Sequence, residues 1–429
     1  MYNLNTTSLG EYDVAVLGGG IAGTFAAISA ARQGAKVIIV ERSGSFGGVL
    51  TEGFVPRIMD SANKGGLVRE LFKFLDERGL SGARSGEKDP KTGRLLPGDL
   101  VDTEACKYFF DKMLLESGVK VLLYSQVASV EVKDGAIKSA LIVNELGNYT
   151  VNAKIFIDAT GSGHAAAMAG CKWECGHPKT GVPHPVSMGS CVIGYGPEFA
   201  GTNTEREKTE YGQMLLSHGI KVSAEHANVI TLPSGRAWTF AINFGYGVNP
   251  DDGEKLSQCT IDGRSEIFET MEAHRKIPGY ENLTLAFTSA HAGIREGRRI
   301  FGEYRITNQD IIDGKRFEDG VCLVTAEVDI HKMSDNDSAT DYSRGVMTKP
   351  YNIPYRALVA KDIDNLILAG RCISGDFFPH SSYRLMGNMS ATGEAAGFAA
   401  ANCAKLGVKP SQYDGKKVRE FMQSRAYAL

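Results

Sequence analysis

Three arginines stand close together in the middle of the chain. Arg295, Arg298 and Arg299 lie within the stretch GIREGRRIFGEYR. A guanidinium group presents a planar fork of N–H donors that binds a carboxylate at two points, so this cluster could hold an anionic substrate. If the stretch is helical, Arg295 and Arg299 share a face at i and i+4. The alternative is a structural ion-pair network with Glu296 and Glu303, and the two interpretations stand at even odds.

A second candidate site lies near the start of the chain, where an apolar strand runs directly into glycines. In the stretch EYDVAVLGGGIAG, the strand Val14–Leu17 is followed by Gly18, Gly20 and Gly23 in the spacing GxGxxG. Gly18 allows the tight turn out of the strand, and Gly20 leaves no Cβ in the way of a pyrophosphate. Gly23 lets the following helix, predicted over Ile21–Gln33, lie close on the sheet. The N-terminus of that helix offers free N–H groups and a positive dipole end to phosphates, which predicts a dinucleotide held by the backbone.

The next strand, predicted over Val37–Val40, ends on a single acid, Glu41. An acid about 20 residues past the glycine motif accepts a hydrogen bond from a ribose hydroxyl. A lone GxGxxG is weak evidence, whereas strand, motif, small-residue helix, strand and acid in this order are strong evidence. The motif does not choose between a nicotinamide and a flavin. The glycine pair Gly47-Gly48 favours a longer cofactor, because a backbone without side chains can return to the same ligand.

Length and composition set outer limits on the fold and the partners. At 429 residues the chain predicts two domains, with a discontinuous arrangement open. The net charge of −3 gives no electrostatic case for binding nucleic acid or an anionic membrane. The first residues lack the basic and apolar regions of a secretory signal, and no apolar run approaches the roughly 20 residues of a bilayer span. With eight scattered cysteines interpreted as reduced thiols, these features predict a cytoplasmic protein without membrane insertion.

Further strands and helices are predicted in the remainder of the chain. Residues 120–158 alternate in short β-like pieces and end in an apolar strand, Ile155–Ile157, followed by Asp158-Ala-Thr-Gly161. Near the C-terminus, the buried strand in Asn365–Gly370 leads through a loop into a helix predicted over Gly387–Gly407, which is dense in Gly and Ala. Another helix is predicted over Asp262–Ile277, within a region of alternating strands.

With these motifs the chain resembles the FAD-dependent oxidoreductases of the glutathione-reductase-type superfamily, and within it a bacterial family distantly akin to fumarate-reductase flavoproteins. Further motifs occur in the expected order: Gly293-Ile-Arg-Glu296, Asp329-Ile-His331, Ile353-Pro-Tyr-Arg-Ala357, Ala369-Gly-Arg-Cys-Ile-Ser374 and Gly393-Glu-Ala-Ala-Gly397. The resemblance implies an α/β fold: a three-layer, Rossmann-like FAD-binding domain with a mostly parallel sheet, and an inserted α+β substrate domain that caps the flavin. The expected division is 1–175 and 351–429 for the FAD-binding domain and 176–350 for the insert.

The resemblance also assigns roles to individual residues around non-covalent FAD. Val127 would hold the adenine by its backbone, and Thr160 and Gly161 would close over the ADP half. The helix that begins near Gly387 would aim its N-terminus at the pyrimidine edge of the flavin, where reduction leaves negative charge. The full expected set of cofactor-binding residues is Gly18, Gly20, Ile21, Ala22, Gly23, Glu41, Arg42, Gly47, Gly48, Val127, Ala159, Thr160, Gly161, Gly370, Arg371, Gly387, Asn388 and Met389.

Two motifs resemble functional sites but are interpreted otherwise. The stretch TGSGHAA after Asp158 resembles a second dinucleotide fingerprint, but no second strand ending in an acid follows it, so it is interpreted as closing over FAD. Cys171 and Cys175 do not have the usual CxxC spacing of redox pairs, and no metal site is predicted. Six histidines are interpreted as ordinary because of their turn-like or polar contexts: His164, His177, His184, His218, His226 and His274.

The implied activity is hydride transfer between a small polar metabolite and flavin N5. Arg295, Arg299 and Arg384 are the candidates for holding an anionic or oxygen-rich substrate, and His331 and His380 for exchanging the proton. The segment FFPHSSYR before the last helix departs from the family pattern, which leaves the substrate's identity open.

Two other functions remain to be weighed against this enzyme activity. The chain could be a flavin-binding electron-transfer subunit that serves a partner protein, or a flavoprotein acting on tRNA; the net charge disfavours the second. A homo-oligomer or a separate electron-acceptor protein stays open as partner.

Overall fold

The computed structural model describes residues 5–429 except 85–86, 88–97, 197–198, 200, 203, 225–226 and 337–345. The stretch Ser81–Asp99 is rich in Gly, Pro and charge, which predicts an exposed loop, and most of it lies outside the described residues, as does His226. The strands are Thr6–Leu17, Val37–Val40, Arg57–Met59, Gly98–Leu100, Lys120–Leu122, Gln126–Lys133, Ala136–Asn144, Gly147–Asp158, Trp173–Glu174, Ser190–Ile193, Asn228–Thr231, Ala237–Ala241, Thr284–Thr288, Arg299–Ile300, Gly320–Val324, Tyr351–Pro354 and Leu366–Leu368.

The helices follow in the same chain order. The α-helices are Ile21–Arg32, Gly66–Asp76, Thr103–Glu116, His164–Met168, Glu205–Ser217, Gly253–His274, Asn308–Asp313, Phe377–Tyr383, Met386–Leu406 and Gly415–Ser424, with short 3₁₀ turns at Gly48–Leu50, Tyr355–Ala357 and Pro410–Gln412. Among the described residues, none of these helices combines the length and apolar character that a bilayer crossing demands.

The parallel part of the large sheet brings the ends of remote strands to one edge. Its strand order is Lys120–Leu122, Val37–Val40, Thr6–Leu17, Gly147–Asp158 and Leu366–Leu368. Leu17 pairs with both Val40 and Asp158, and Leu368 also pairs with Asp158. The residues that leave these strands, among them Gly18, Glu41, Ala159 and Ala369, therefore emerge side by side. We call this the carboxyl edge, where ligands of open α/β sheets bind.

Small residues allow two helices to pack unusually closely beside this sheet. A Cβ on Gly393 would lie 2.2 Å from the carbonyl oxygen of Ala22, and a Cβ on Gly397 would lie 2.1 Å from that of Ala26. Both distances are far inside van der Waals contact, so only glycine permits the observed spacing between helix Met386–Leu406 and helix Ile21–Arg32. The helix predicted over Gly387–Gly407 is confirmed, and Gly407 ends it with a φ of 67°.

The inserted region forms a second, smaller layer. Its antiparallel sheet has the order Asn228–Thr231, Ala237–Ala241, Ser190–Ile193 and Thr284–Thr288. Val192, Phe240, Ile267 and other apolar side chains form a core separate from that of the large sheet. Helix Gly253–His274 begins nine residues before the predicted Asp262, because the side chain of Asp252 accepts a hydrogen bond from the backbone N–H of Lys255 and caps it there.

The fold class expected from the sequence is confirmed, with a mostly parallel sheet in a Rossmann-like FAD-binding domain. The division at residues 175 and 350 stays a prediction. Packing favours an earlier second boundary, because Ile300, Ile306, Val321 and Val324 belong to the core of the large sheet.

Candidate cofactor cleft and the charged cluster beside it

A cleft opens at the carboxyl edge and extends beneath the inserted region. It holds about 1250 Å³, including its open mouth. Most of the residues expected to bind the cofactor line it: Gly18, Gly20, Ile21, Ala22, Glu41, Arg42, Gly47, Gly48, Val127, Ala159, Thr160, Gly161, Gly370, Arg371 and Met389. The structure thus brings together residues that are up to 371 positions apart in the chain.

The glycines of the first motif have different local surroundings. Gly18 adopts a φ of +99°, and a Cβ there would lie 2.5 Å from the carbonyl oxygen of Ala159. A Cβ on Gly23 would lie 1.9 Å from the carbonyl oxygen of Gly18. A Cβ on Gly20, in contrast, would have no atom of the described chain within 4 Å. Gly18 and Gly23 are therefore needed by the fold itself, whereas the space beside Gly20 is free for a ligand.

The second glycine pair returns to the first. The backbone N–H of Gly47 donates to the carbonyl oxygen of Gly19 at 2.8 Å, and Gly20 and Gly47 form an isolated parallel bridge. A Cβ on Gly48 would lie 2.9 Å from the Cα of Gly20. This contact supports the prediction that both glycine turns face one extended ligand.

Glu41 is buried at the end of its strand and held by the backbone. One carboxylate oxygen accepts a hydrogen bond from the N–H of Gly19 at 2.6 Å, and the other accepts one from the N–H of Ser43 at 2.7 Å. Each oxygen retains further acceptor capacity. The side chain is thus fixed at the cleft wall in a geometry that suits a ribose hydroxyl.

Arg371 supplies a cation to the same cleft. Its Nη2 lies 3.5 Å from the hydroxyl of Ser162, and its buried Nε has no hydrogen-bond partner in the described part of the chain. Burial lowers its pKa to about 10. A buried guanidinium with an unused donor fits an anionic group such as a diphosphate. The open space at Gly20, the ribose-type acceptor at Glu41 and this cation together fit FAD.

Three of the expected cofactor residues do not line the cleft. Gly23 serves packing, as described above. Gly387 also serves packing, because a Cβ there would lie 2.3 Å from the carbonyl oxygen of Asp60. Asn388 is fully buried; its Oδ1 accepts a hydrogen bond from the thiol of Cys322 at 3.4 Å, while its Nδ2 lacks a partner among the described residues. Their assignment to FAD contact stays a prediction.

For Arg299 the structure favours the alternative interpretation. Its guanidinium is buried in an ion pair with Glu296, with Glu174 at 3.9 Å and the carbonyl oxygen of Gly176 at 3.3 Å. Arg299 does not line the cleft, and it belongs to a two-residue strand rather than to a helix. The predicted i and i+4 face is therefore absent, and the expected second partner, Glu303, is not paired with it. Arg299 is thus held in an ion-pair network, and a role for it in binding substrate stays a prediction.

Arg295 and Arg384 instead meet in what we call the inner cluster, with Asp329 and His331. Arg384 lines the cleft and donates from Nη2 to the carboxylate of Asp329 at 3.1 Å and to its backbone oxygen at 2.8 Å. Its Nη1 lies 3.3 Å from the carbonyl oxygen of Arg295. The side chain of Arg295 donates to the hydroxyl of Ser187 at 2.8 Å. These four residues come from three segments that are distant in the sequence.

The inner cluster has more positive than negative groups. Burial, reinforced by Arg384, lowers the pKa of Arg295 to about 10. Burial opposes ionisation of Asp329, yet His331, Arg384 and Arg295 hold the pKa of that carboxyl below its ordinary value. Burial and the nearby Arg295 lower the pKa of His331 to about 3, so its ring is neutral at neutral pH. Two guanidinium groups therefore face one carboxylate.

His380 is enclosed in the interior. It is fully buried, and neither ring nitrogen makes a hydrogen bond of ordinary geometry with the described residues. Burial and the charges of Arg299, Arg384 and Arg371 hold the pKa of His380 well below its usual range. His380 is not among the residues that line the cleft.

Several polar residues at the site were not predicted from the sequence. Ser43, Glu52, His164 and His291 line the cleft, and Nε2 of His291 lies 3.0 Å from the hydroxyl of Ser43. The position of His291 just before the GIRE motif is a signal that could have identified it. His184, interpreted as ordinary, is buried against the inner cluster, and its turn-rich surroundings in the sequence give no such signal.

Comparison with known proteins agrees with this geometry. The family model described as FAD dependent oxidoreductase matches residues 13–422. The mitochondrial dihydrolipoyl dehydrogenase of Schizosaccharomyces pombe is 32% identical over 172 residues, covering 38% of this chain and 30% of that protein. The thiamine thiazole synthase of Methanococcus aeolicus is 33% identical over 171 residues, covering 37% of this chain and 57% of that protein. The chain thus spans between about a third and somewhat over half of these relatives.

A solved structure extends the similarity over nearly the whole chain. The OxyS anhydrotetracycline hydroxylase from Streptomyces rimosus matches with a TM-score of 0.50 and 11% identity, covering 97% of this chain and 66% of that one. At this identity the match shows the fold alone. The family match over residues 13–422 and the cleft described above lead to one conclusion: the chain belongs to the FAD-dependent oxidoreductase family, and FAD is its cofactor.

Proposed function

We propose that the protein transfers hydride between FAD and a small polar metabolite that carries an anionic group. The observation that supports this most strongly is the charge of the inner cluster, where Arg295 and Arg384 face the single carboxylate of Asp329. Burial makes an uncompensated cation costly, and a substrate anion would relieve that cost.

Each member of the inner cluster has a separate task in this proposal. Arg384 extends from the cleft wall to Asp329, which fixes the orientation of its guanidinium. Arg295 is anchored by Ser187 and lies against the ring of Phe244, with 5.0 Å between the guanidinium carbon and the ring centroid. An aromatic wall excludes water and thereby strengthens the attraction between a substrate anion and the two arginines.

When bound, FAD supplies the two-electron acceptor or donor, and the protein orients the substrate and handles one proton. Arg384 helps to lower the pKa values of three imidazoles, those of His331, His380 and His184, and burial and neighbouring cations keep each of them neutral. A neutral imidazole can accept a proton, so this part of the site can serve the oxidative direction.

Anaerobic bleaching of the bound flavin tests the proposal. We expect a member of a panel of hydroxy acids, amines, sugars and cyclitols to bleach the visible absorption of the bound flavin, with anionic compounds favoured over uncharged ones. Arg384→Met should weaken this reaction much more than Arg356→Met, because Arg356 pairs with Asp319 away from the cleft. Bleaching only by uncharged compounds would contradict the proposed anion site. A fully loaded protein that no compound bleaches would instead favour the electron-transfer subunit.

A further inference from the structure

The ring of His184 is held in one orientation. It is 1% exposed and stacks on Phe377, with the ring centroids 5.0 Å apart and the planes 14° from parallel. Its Nε2 lies 2.9 Å from the hydroxyl oxygen of Ser381, and its backbone N–H donates to the carboxylate of Glu296 at 3.0 Å. Side chain and backbone are therefore both anchored.

The Ser381 contact assigns the position of the ring hydrogen. The hydroxyl of Ser381 donates to the carbonyl oxygen of Phe377 at 2.9 Å, and a carbonyl can only accept. Because its hydrogen is used in that bond, the hydroxyl of Ser381 can only accept a hydrogen bond from His184. Both contacts are hydrogen bonds only if Nε2 of His184 carries the hydrogen. Its Nδ1 is then a bare acceptor, buried and without a partner in the described chain.

A complementary unused donor lies in the same set of contacts. Arg295 donates to the carbonyl oxygen of Pro185, the residue after His184, at 2.9 Å, and Arg384 donates to the carbonyl oxygen of Arg295 at 3.3 Å. The Nε–H of Arg384 is also buried and has no partner among the residues described. Burial lowers the pKa of His184 well below its usual value, and among the charged neighbours Arg384 contributes most to that shift. Leaving a buried donor and a buried acceptor unpaired destabilises the folded protein. One small group that both accepts and donates a hydrogen bond would satisfy the two.

A hydroxyl group has this property. Its oxygen accepts from Nε of Arg384 while its hydrogen is donated to Nδ1 of His184. A carbonyl could not donate to His184, and an ammonium group could not accept from Arg384. Arg384 lines the cleft whereas His184 does not, so the hydroxyl would be the innermost group of the bound substrate.

We propose that the substrate is an alcohol whose hydroxyl binds between Arg384 and His184, and that His184 accepts the hydroxyl proton during oxidation. This inference rests on the proposed function. The O–H bond breaks and its proton moves to Nδ1, the C–H bond breaks and its electron pair leaves as hydride, and a C=O bond forms. The hydride would pass to FAD, the family's cofactor, when it is bound. Ser381 acts as a positioning residue, because it sets which nitrogen of His184 is free.

The first test is independent of turnover. Protein carrying ¹⁵N-labelled histidine, loaded with FAD, is studied by NMR, and the His184 signals are assigned by their loss in His184→Gln. We expect Nε2 to carry the hydrogen and Nδ1 to carry none, without titration between about pH 6 and 8. In Ser381→Ala, a fraction with hydrogen on Nδ1 should appear. Hydrogen on Nδ1 in the unchanged protein would overturn the inference while leaving the arginine-based proposal intact.

The second test compares matched substrates by anaerobic flavin reduction. The probes are two pairs, glycolate with glycine and lactate with alanine, together with sugars and cyclitols. We expect only hydroxyl compounds to react, and His184→Gln to reduce the rate by roughly 100-fold or more, the range for loss of a general base. His218→Gln is the control, because His218 is exposed at a helix end. Thermal unfolding and FAD content confirm that each variant is folded and loaded.

The outcomes separate the two proposals. Reduction by amines alone would overturn the alcohol inference and leave the proposed function standing. An unchanged rate in a folded His184→Gln variant would overturn the role of His184. If no compound reduces the flavin, the proposed function and this inference both fail.

Discussion

The two ends of the cleft present different chemical groups. At the end near Gly20 and Glu41, the wall consists of glycine backbone and of one carboxylate held by backbone N–H groups. At the other end, Arg384 lines the cleft and contacts Asp329 and the backbone of Arg295, which lie outside the lining. The first end presents mainly backbone groups, which every residue carries. The second end presents a charged side chain and its contacts, which are particular to this chain.

The two ends also differ in the free-energy cost of burying their polar groups. Backbone N–H groups at a strand end and a helix start point outward without any unpaired charge being buried. At the second end, in contrast, Nε of Arg384 and Nδ1 of the neighbouring His184 are buried and lack hydrogen-bond partners in the described residues. Such groups are tolerated where they serve a ligand. We therefore expect damage at the first end to affect folding and FAD, and damage at the second end to affect substrate.

The largest effect is expected at Gly23. Gly23→Val would place its side chain into the carbonyl oxygen of Gly18, which a Cβ alone approaches to 1.9 Å, so this variant should not fold stably. Gly20→Val meets no described atom within 4 Å and should fold, yet it should lose FAD because the side chain fills the ligand's space. Circular dichroism and absorbance of the released flavin measure both. Equal FAD content and equal melting temperatures in the two variants would contradict the distinction.

The next effect concerns the two arginines that the sequence could not distinguish. Arg384→Lys keeps the charge but loses the planar fork that joins Asp329 to the cleft, and we expect flavin reduction to slow by about 10- to 100-fold. Arg299→Lys should chiefly lower the melting temperature, because Arg299 is buried in a pair with Glu296. Single-turnover reduction rates and thermal unfolding of both variants test this. A stronger kinetic defect in Arg299→Lys would reverse the assignment.

The same contrast explains how much could be predicted from the sequence. The FAD end is encoded in short segments: Gly18, Gly20 and Gly23 with their flanking strand and helix span a few residues, and parallel pairing places Glu41 and Ala159 beside them. Glycine spacing, strand ends and acids are local signals. Nearly all of the expected cofactor residues accordingly line the cleft.

The substrate end depends on contacts that no local pattern records. Arg295, Asp329 and Arg384 approach one another only after the inserted region has folded over the large sheet. The choice of Arg299 rested on an assumed helix, which is absent because that residue pairs with Glu174 in a short strand. His184 was interpreted as ordinary because the role proposed for it depends on a contact with Ser381, nearly 200 positions away.

A smaller effect is expected at Glu41, the acid predicted to bind the ribose. Glu41→Ala removes the acceptor for the N–H groups of Gly19 and Ser43, and FAD binding should weaken by about 1–3 kcal/mol, or about 10- to 100-fold. Glu41→Gln keeps one acceptor oxygen and should lose less. Titration of the apoprotein with FAD measures both constants, and the same flavin should be released intact by acid if it is bound non-covalently. Wild-type affinity in Glu41→Ala would show that the acid does not contact the cofactor.

The smallest effect is the pH dependence contributed by His331, and its sign follows from burial. The pKa of His331 falls from 6.5 to about 3 in the folded protein, so the unfolded chain binds more protons between these two values. Its contribution to stability is therefore complete above about pH 6.5 and is lost as the pH falls towards 3. His331→Gln should reduce the slope of unfolding free energy against pH by at most about 1.4 kcal/mol per pH unit in that range, the value for one proton. Urea unfolding at several pH values measures the slope, with His218→Gln as control. Identical slopes in the unchanged protein, His331→Gln and His218→Gln would mean that the ring of His331 is solvated. Water would then also reach the inner cluster and weaken its attraction for an anion.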